Sequence, residues 1–366
     1  MPKSPVYYIP FRGNHAQMAR RLADFLLELD LPWIKPQSHI GIKLHWGEAG
    51  NETYQPIEYA REIGGFILQR EAIPFGFDTT TLYRHRRRTV VDSLWTAQNH
   101  GFHSGEVGFP FLVADGISGL DTIELRTPSK AKNLKKVQAI SLLEHVDGII
   151  NLSHFKGHIA SGVGGAIKNI SMGMTSRATK QMMHADVEPI LEEEKCTSCG
   201  RCVKICSENA ISIASDHAVI DIGRCVGCAE CIAICPEGAL KIIWTTDRNK
   251  FLEKLAESAA AINDKIGRRM IHLNLLVNIT SLCDCQGTKM KPIFPDIGIA
   301  ISQDPIAVDI ASADLVNKCK PLNNSELNED DEDKIGLLHP DIPWRRQFEY
   351  GETLGIGTCE YELIEV

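Results

Sequence analysis

Apolar residues in this chain fall into short runs that end repeatedly in a polar or glycine-rich turn opening a helical pattern. HIGIKLHW (39–46), PFGF (74–77) running into DTTTLYRH, and DGIINLSHFKGH (147–158) read as strands. IHLNLLVNITSLCDC (271–285) and PDIGIAISQDPIAVDIASADLVNK (295–318) supply two more. Helical stretches intervene. In HAQMARRLADFLLELD (15–30), Met18, Leu22, Phe25 and Leu26 recur at helical spacing. The alternation predicts an α/β fold, a largely parallel sheet with flanking helices.

The pattern is interrupted between residues 190 and 246, where eight cysteines occur in two copies of one spacing. CTSCGRCVKIC carries Cys196, Cys199, Cys202 and Cys206; CVGCAECIAICP carries Cys225, Cys228, Cys231 and Cys235. Each cysteine recurs 29 positions later (196 to 225, 206 to 235), and the flanks ENAISI and EGALKI match as well. C-x2-C-x2-C-x3-C is the spacing of a bacterial two-cluster ferredoxin, in which the fourth cysteine of each run serves the other cluster. Cys196, Cys199, Cys202 and Cys235 are therefore expected to hold one [4Fe-4S] cluster, and Cys225, Cys228, Cys231 and Cys206 the second. Thiolates select soft metals, and a zinc site would show two separated CxxC pairs without the third and fourth cysteine of each run. Pro236 follows the second run, whereas Ser207 follows the first, so a slightly altered turn is expected there.

The expected organisation is an α/β domain in two parts, 1–189 and 247–366, with an inserted α+β ferredoxin-like module at 190–246. A chain of 366 residues can bury a substantial core. Its net charge of −8 argues against nucleic acid or an anionic membrane as partner. MPKSPVYYIP lacks the apolar core of a signal peptide, and no apolar run is long enough to span a bilayer. Twelve cysteines, eight of them in metal-ligand spacing, fit a reducing, cytoplasmic setting without disulfides. The acidic run Asn324–Asp333 reads as a solvated loop.

Reactive side chains cluster just after the strands, where ligands bind in open α/β sheets. Lys43 and His45 share a strand face, with Glu48 in the turn beyond. Asp78, Thr79 and Thr80 follow PFGF; His154, Lys156 and His158 follow IINLS; Asp304 precedes Pro305, the expected first residue of a helix. The turn GHIASGVGGAIKNISMGM brings Gly162, Gly164 and Gly165 before Lys168 and Asn169, which reads as an anion-binding nest for a carboxylate or phosphate. Its spacing is neither a dinucleotide fingerprint nor a P-loop. Cys283 and Cys285 flank Asp284; they are either small buried residues or thiolates that bind an additional metal or act beside His154 and His158. Cys319 and Cys359 read as structural.

HIGIKLHWGEAGN, DTTTLYRHRR, NLSHFKGHIASGVGGAIKNISMGM, the CDC at 283–285 and ISQDPIAVDIASADLV together resemble the domain-of-unknown-function 362 family, and within it the iron–sulfur centre proteins with an internal ferredoxin-type domain. The resemblance implies two [4Fe-4S] clusters and a flanking domain whose activity the family leaves open. Two function classes follow. One is an oxidoreductase relaying electrons from a redox partner protein to a small anionic substrate, bound and protonated by Lys43, His45, His154, Lys156 and His158. The other is an electron carrier or adaptor that docks a partner reductase. No flavin or nicotinamide motif is present in the sequence, so either class needs a partner protein for its electrons.

Overall fold

The computed structural model describes residues 3–82, 85–184, 189–206, 209–222, 224–225, 230–241 and 247–366. Ser207 and Cys228 lie outside the described residues, so the altered turn and one expected cluster ligand fall there too.

Strands β1 (Ser4–Pro10), β2 (His39–Lys43), β3 (Ile73–Asp78), β4 (Phe111–Val113), β5 (Gly148–His154), β6 (Met270–Leu276), β7 (Gly298–Ser302) and β8 (Tyr361–Glu365) belong to one sheet among the described residues. Their order is β8-β1-β7-β6-β5-β2-β3-β4. Strands from both flanks of the cysteine-rich segment interleave, since β6 pairs with β5 and β7 with β1. Neighbours run parallel except at β7, which is antiparallel to both β1 and β6. Every residue of β5 and β6 is buried, as expected of strands covered on both faces.

Alternate side chains of these strands feed two cores. Ile150, Leu152, Leu273 and Leu275 pack with Met18, Leu22 and Leu26 of α1 (His15–Glu28) and with Ile63 and Ile67 of α2 (Ile57–Gln69). Ile149, Phe75 and Phe77 join the opposite core. There they meet Ile167 and Ile170 of α3 (Ala166–Gly173), Leu252 and Leu255 of α5 (Arg248–Ile266), and Val308 of α6 (Pro305–Lys318). Burying one such side chain contributes roughly 1.5–3 kcal/mol. The start of α1 is fixed by a reciprocal cap: Asn14 Oδ1 accepts from the Gln17 amide at 3.0 Å, and Gln17 Oε1 accepts from the Asn14 amide at 3.1 Å. Between α3 and the cysteine-rich segment lies α4 (Arg177–His184).

The cysteine-rich segment leaves the domain after α4 and returns at α5. Ile190–Leu191 pairs with Leu240–Lys241, and Ile211–Ala214 with His217–Ile220, both antiparallel. Short helices Arg201–Ile205 and Glu230–Ile234 pack on each other. Cys202 and Cys231 sit in a small core with Ile211, Ala218 and Leu240, edged by Cys196, Cys206 and Cys235. No helix among the described residues is long and apolar enough to cross a membrane.

Two sequence expectations change here. Because β7 runs antiparallel, the residue beyond its carboxyl end sits at the edge of the sheet opposite Lys43, Asp78 and His154. Asp304 accordingly caps α6, accepting from the Ile306 and Ala307 amides at 2.9 Å each, and takes bonds from Ser4 Oγ (2.7 Å) and the Thr358 amide (2.9 Å). It takes no part in the cleft. The acidic run also does more than meet solvent: Asp333 Oδ1 accepts from the Gly336 amide at 3.0 Å, at the start of helix Lys334–Leu338, and its Oδ2 accepts from Trp344 Nε1 at 3.1 Å.

Candidate functional site

The chain order reverses between β2 and β5: β2, β3 and β4 step to one side, while β5 and β6 step to the other. Such a reversal opens a crevice beyond the carboxyl ends of the strands. A cavity of about 100 Å³ occupies this position, lined by Lys43, His45, Asp78, Thr79, Thr80, Ser153, His154, Lys156, His158, Gly164, Gly165, Lys168, Asn169, Cys283 and Cys285. Arg87, Lys180 and His184 also line it.

Buried charges are held in pairs. Lys43 is fully buried, 3.1 Å from Asp78, and donates to Asn169 Oδ1 at 2.7 Å and to the Leu44 carbonyl at 3.1 Å. Burial lowers its pKa, opposed by Asp78. Arg87 bridges Glu48 and Asp78, at 3.3 Å to each. Lys180 donates to Thr79 Oγ1 (2.8 Å) and to the carbonyls of Thr80 (2.6 Å) and Thr175 (2.9 Å), while burial lowers its pKa to about 8. Asp284 takes bonds from both His154 Nδ1, at 2.8 Å, and Lys156. Burial pushes its carboxyl up, but His154 and Lys156 hold it at about 2. His154 is committed to this scaffold, since its Nε2 faces the Val277 carbonyl at 2.7 Å.

Five cations, Lys43, Arg87, Lys156, Lys168 and Lys180, line the cavity, against Asp78 in the lining and Glu48 and Asp284 paired beside it, so the cavity favours an anion. His45, His158 and His184 are neutral at neutral pH. Burial first, then the surrounding cations, lowers His45 and His158 well below the usual imidazole range, and burial and Lys168 bring His184 to about 3.

The glycine-rich turn forms only part of the expected nest. Gly162 has φ +74° and packs on Trp344, where an added Cβ would lie 2.3 Å from the Trp344 Cβ. Gly164 and Gly165 line the cavity, but the amides that open α3 are already taken: Asp309 accepts from Ala166 N at 2.6 Å and from Ile167 N at 3.0 Å. The helix start therefore binds an internal carboxylate in place of a free anion. Asn169 is likewise internal, its Nδ2 donating to Asn151 Oδ1 at 2.8 Å and to the Leu152 carbonyl at 3.1 Å. Lys168 reaches Cys283 Sγ at 3.7 Å.

Burial raises the Asp309 carboxyl to about 6. A carboxyl with a folded pKa above its unfolded value contributes stability that is present below about pH 4 and lost as pH rises through about 6. Urea unfolding is expected to show this loss in the wild type, and Asp309→Asn is expected to flatten the slope between those pH values. An unchanged slope in the variant would assign the pH dependence to another group.

Cys283 and Cys285 come to His158 through a close backbone approach. The Gly157 amide donates to the Thr280 carbonyl at 2.9 Å, and a Cβ on Gly157 would lie 2.3 Å from the Ser281 carbonyl oxygen. As a result Cys283, Cys285 and one nitrogen of His158 all lie within 4.8 Å of one another. The Cys285 thiol donates to Cys283, which is held well below the usual thiol range by that bond and by Lys168 and Lys156; Cys285 is raised well above it. Cys319 and Cys359 lie away from the cavity, half-buried, and burial raises both thiols, Cys359 to about 11.

Sequence reading missed Arg87, Lys180 and Asp309. The basic run at Arg86–Arg88 carried a signal for the first. Lys180 and Asp309 carried none, since each lies inside a helix with no motif around it.

Residues 40–314 match the family described as "Domain of unknown function (DUF362)". The chain belongs to this family. No curated protein sequence matches it. Among solved structures, the DUF362 chain is similar to a Thermotoga maritima protein determined as a structural-genomics target, with TM-score 0.50 and 14% identity over 86% of this chain and 61% of that one. It is also similar to the lactate racemase apoprotein from Thermoanaerobacterium thermosaccharolyticum, with TM-score 0.43 and 11% identity over 87% of this chain and 58% of that one. The chain thus spans about three-fifths of each, and the first likeness is one of fold.

Proposed function

We propose that this protein is an iron–sulfur redox protein with two [4Fe-4S] clusters, acting as an oxidoreductase that passes electrons from a partner protein to a small anionic substrate in the α/β cavity. The observation that carries this reading is a single small cavity lined by Cys196, Cys199, Cys202 and Cys235, four soft donors drawn from both halves of the repeat. Cys196 and Cys199 come from one loop, Cys202 from the helix that follows it and Cys235 from the end of the other half's helix, which is the crossed set the spacing calls for. Cys206, Cys225 and Cys231, with Cys228, make the second set. The Ala210 amide donates to Cys206 Sγ at 3.2 Å, a bond of the kind that tunes a ligand sulfur. Bound there, the clusters supply one-electron transfer, at potentials spanning about −700 to +450 mV across the class.

The chain's own residues supply binding and protons. Lys156 and Lys168 offer charge to an anion, and the neutral His45 and His158 offer hydrogen bonds without adding charge. Lys43, whose ammonium form burial destabilises, is the buried cation poised to release a proton toward a reduced substrate. Helix Glu230–Ile234, which carries Cys231, packs on α4, and α4 carries Lys180 and His184 in the cavity wall. That adjacency favours electron delivery into the cavity over a carrier with no substrate.

Anaerobically purified protein is expected to hold about eight irons and about eight sulfides per chain and, once reduced, to give the paramagnetic signal of two interacting clusters. Stoichiometric zinc bound by the eight cysteines in place of iron would overturn the reading.

A further inference from the structure

We propose that His158, Cys283 and Cys285 form a mononuclear site for a thiophilic divalent ion of the zinc class, with its fourth position open to the cavity. This goes beyond the cluster reading, because it gives the cavity an electrophile of its own and uses none of the eight ferredoxin-spaced cysteines. A tetrahedral ion bound at about 2.0–2.3 Å needs donor atoms a little under about 4 Å apart. The three donors, within 4.8 Å of one another, meet that requirement after small side-chain shifts. Two thiolates and one imidazole fit zinc or a similar soft ion better than magnesium or calcium, which take oxygen.

The surroundings are those of a supported metal site. Asp284, between the two cysteines, is fully buried and bonded to His154 and Lys156, so the sulfurs on either side of it are held on a fixed turn. His158 Nδ1 accepts from the Ser161 amide at 3.0 Å and the Ala160 amide at 3.2 Å, with the Ser161 hydroxyl 2.9 Å away, which leaves Nε2 as the nitrogen able to bind. The ion displaces the proton shared between the sulfurs, and the ring proton moves from Nε2 to Nδ1, where the Ser161 hydroxyl, itself donating to the Val163 carbonyl at 2.7 Å, accepts it in place of the amides. Two thiolates balance the charge of the ion, and Lys168, 3.7 Å from Cys283, and Lys156 favour the thiolate form of the ligands. Three protein ligands and one open position are the coordination of a catalytic centre rather than a structural one. The cavity these ligands line is also lined by Lys43 and His45, and a carboxylate or a metal-bound water would take the fourth position there.

The test is metal analysis and zinc-edge X-ray absorption on the full chain purified anaerobically from zinc-supplemented cells. The expected result is about one zinc per chain beside the iron, with a shell of two sulfurs, one imidazole nitrogen and one further light atom. Cys283→Ser/Cys285→Ser is expected to lose the zinc and keep the iron, and His158→Gln to lose zinc to a chelator at least about tenfold more readily. Absence of zinc in the wild type, a shell of four sulfurs, or zinc retained by the double variant would overturn the proposal. The wild-type edge spectrum decides the matter even where a variant fails to fold. Zinc without iron would instead sink the cluster reading and leave this one standing.

Discussion

Replacing Cys206 by Ser is expected to remove about half of the iron, from about eight to about four atoms per chain. A serine hydroxyl is a harder, more weakly acidic ligand than a thiol, and under the proposed crossed ligation the cluster that loses the thiolate is the one held also by Cys225, Cys228 and Cys231. The paramagnetic signal of two interacting clusters should collapse to that of one isolated cluster, and Cys225→Ser should leave the same remaining spectrum. If Cys206→Ser instead matches Cys196→Ser, each run holds its own cluster. The crossed pairing would then be wrong, although Cys235 lines the same cavity as Cys196, Cys199 and Cys202.

Asp284→Asn is expected to destabilise the fold by roughly 3–5 kcal/mol, because it leaves the Lys156 ammonium buried without its counter-charge and weakens the hold on His154. Asp284 is fully buried and Lys156 only 3% exposed, so water cannot take over the lost interaction. Glu329→Gln provides the surface control. Its pair with Lys320 spans 2.7 Å, but both side chains are mostly exposed, and losing it should cost under about 1 kcal/mol. Urea unfolding at neutral pH measures both. An Asp284→Asn midpoint no lower than that of the control would show that the His154–Asp284–Lys156 group does not hold the 277–285 segment in place.

Much of the cavity is legible in the sequence. Lys43, His45, Asp78, His154, Lys156 and His158 follow apolar strands, and strands that run the same way deliver their next residues to one edge. The same rule misplaced Asp304. Its strand has the same apolar signature as the others, yet pairs antiparallel with both neighbours. Strand direction is set by the pairing partners, one of them at the far end of the chain, and local periodicity does not register it. The glycine-rich turn was recognised as an anion site, but the anion proved to be Asp309, a residue of a helix whose sequence offers no sign that its carboxylate meets the start of another.

The sequence by itself determined the cysteine spacing, its 29-residue repeat and the alternation of strands and helices, because each is written in neighbouring positions and governed by local geometry. Only the tertiary structure decided that Arg87 and Lys180 join the cavity wall, that Asp284 is held by His154 and Lys156, and that His158 meets Cys283 and Cys285. The last depends on Gly157 letting two backbone segments approach, a contact between residues more than a hundred positions apart. Such contacts follow from how the whole chain packs, and no short stretch of it encodes them.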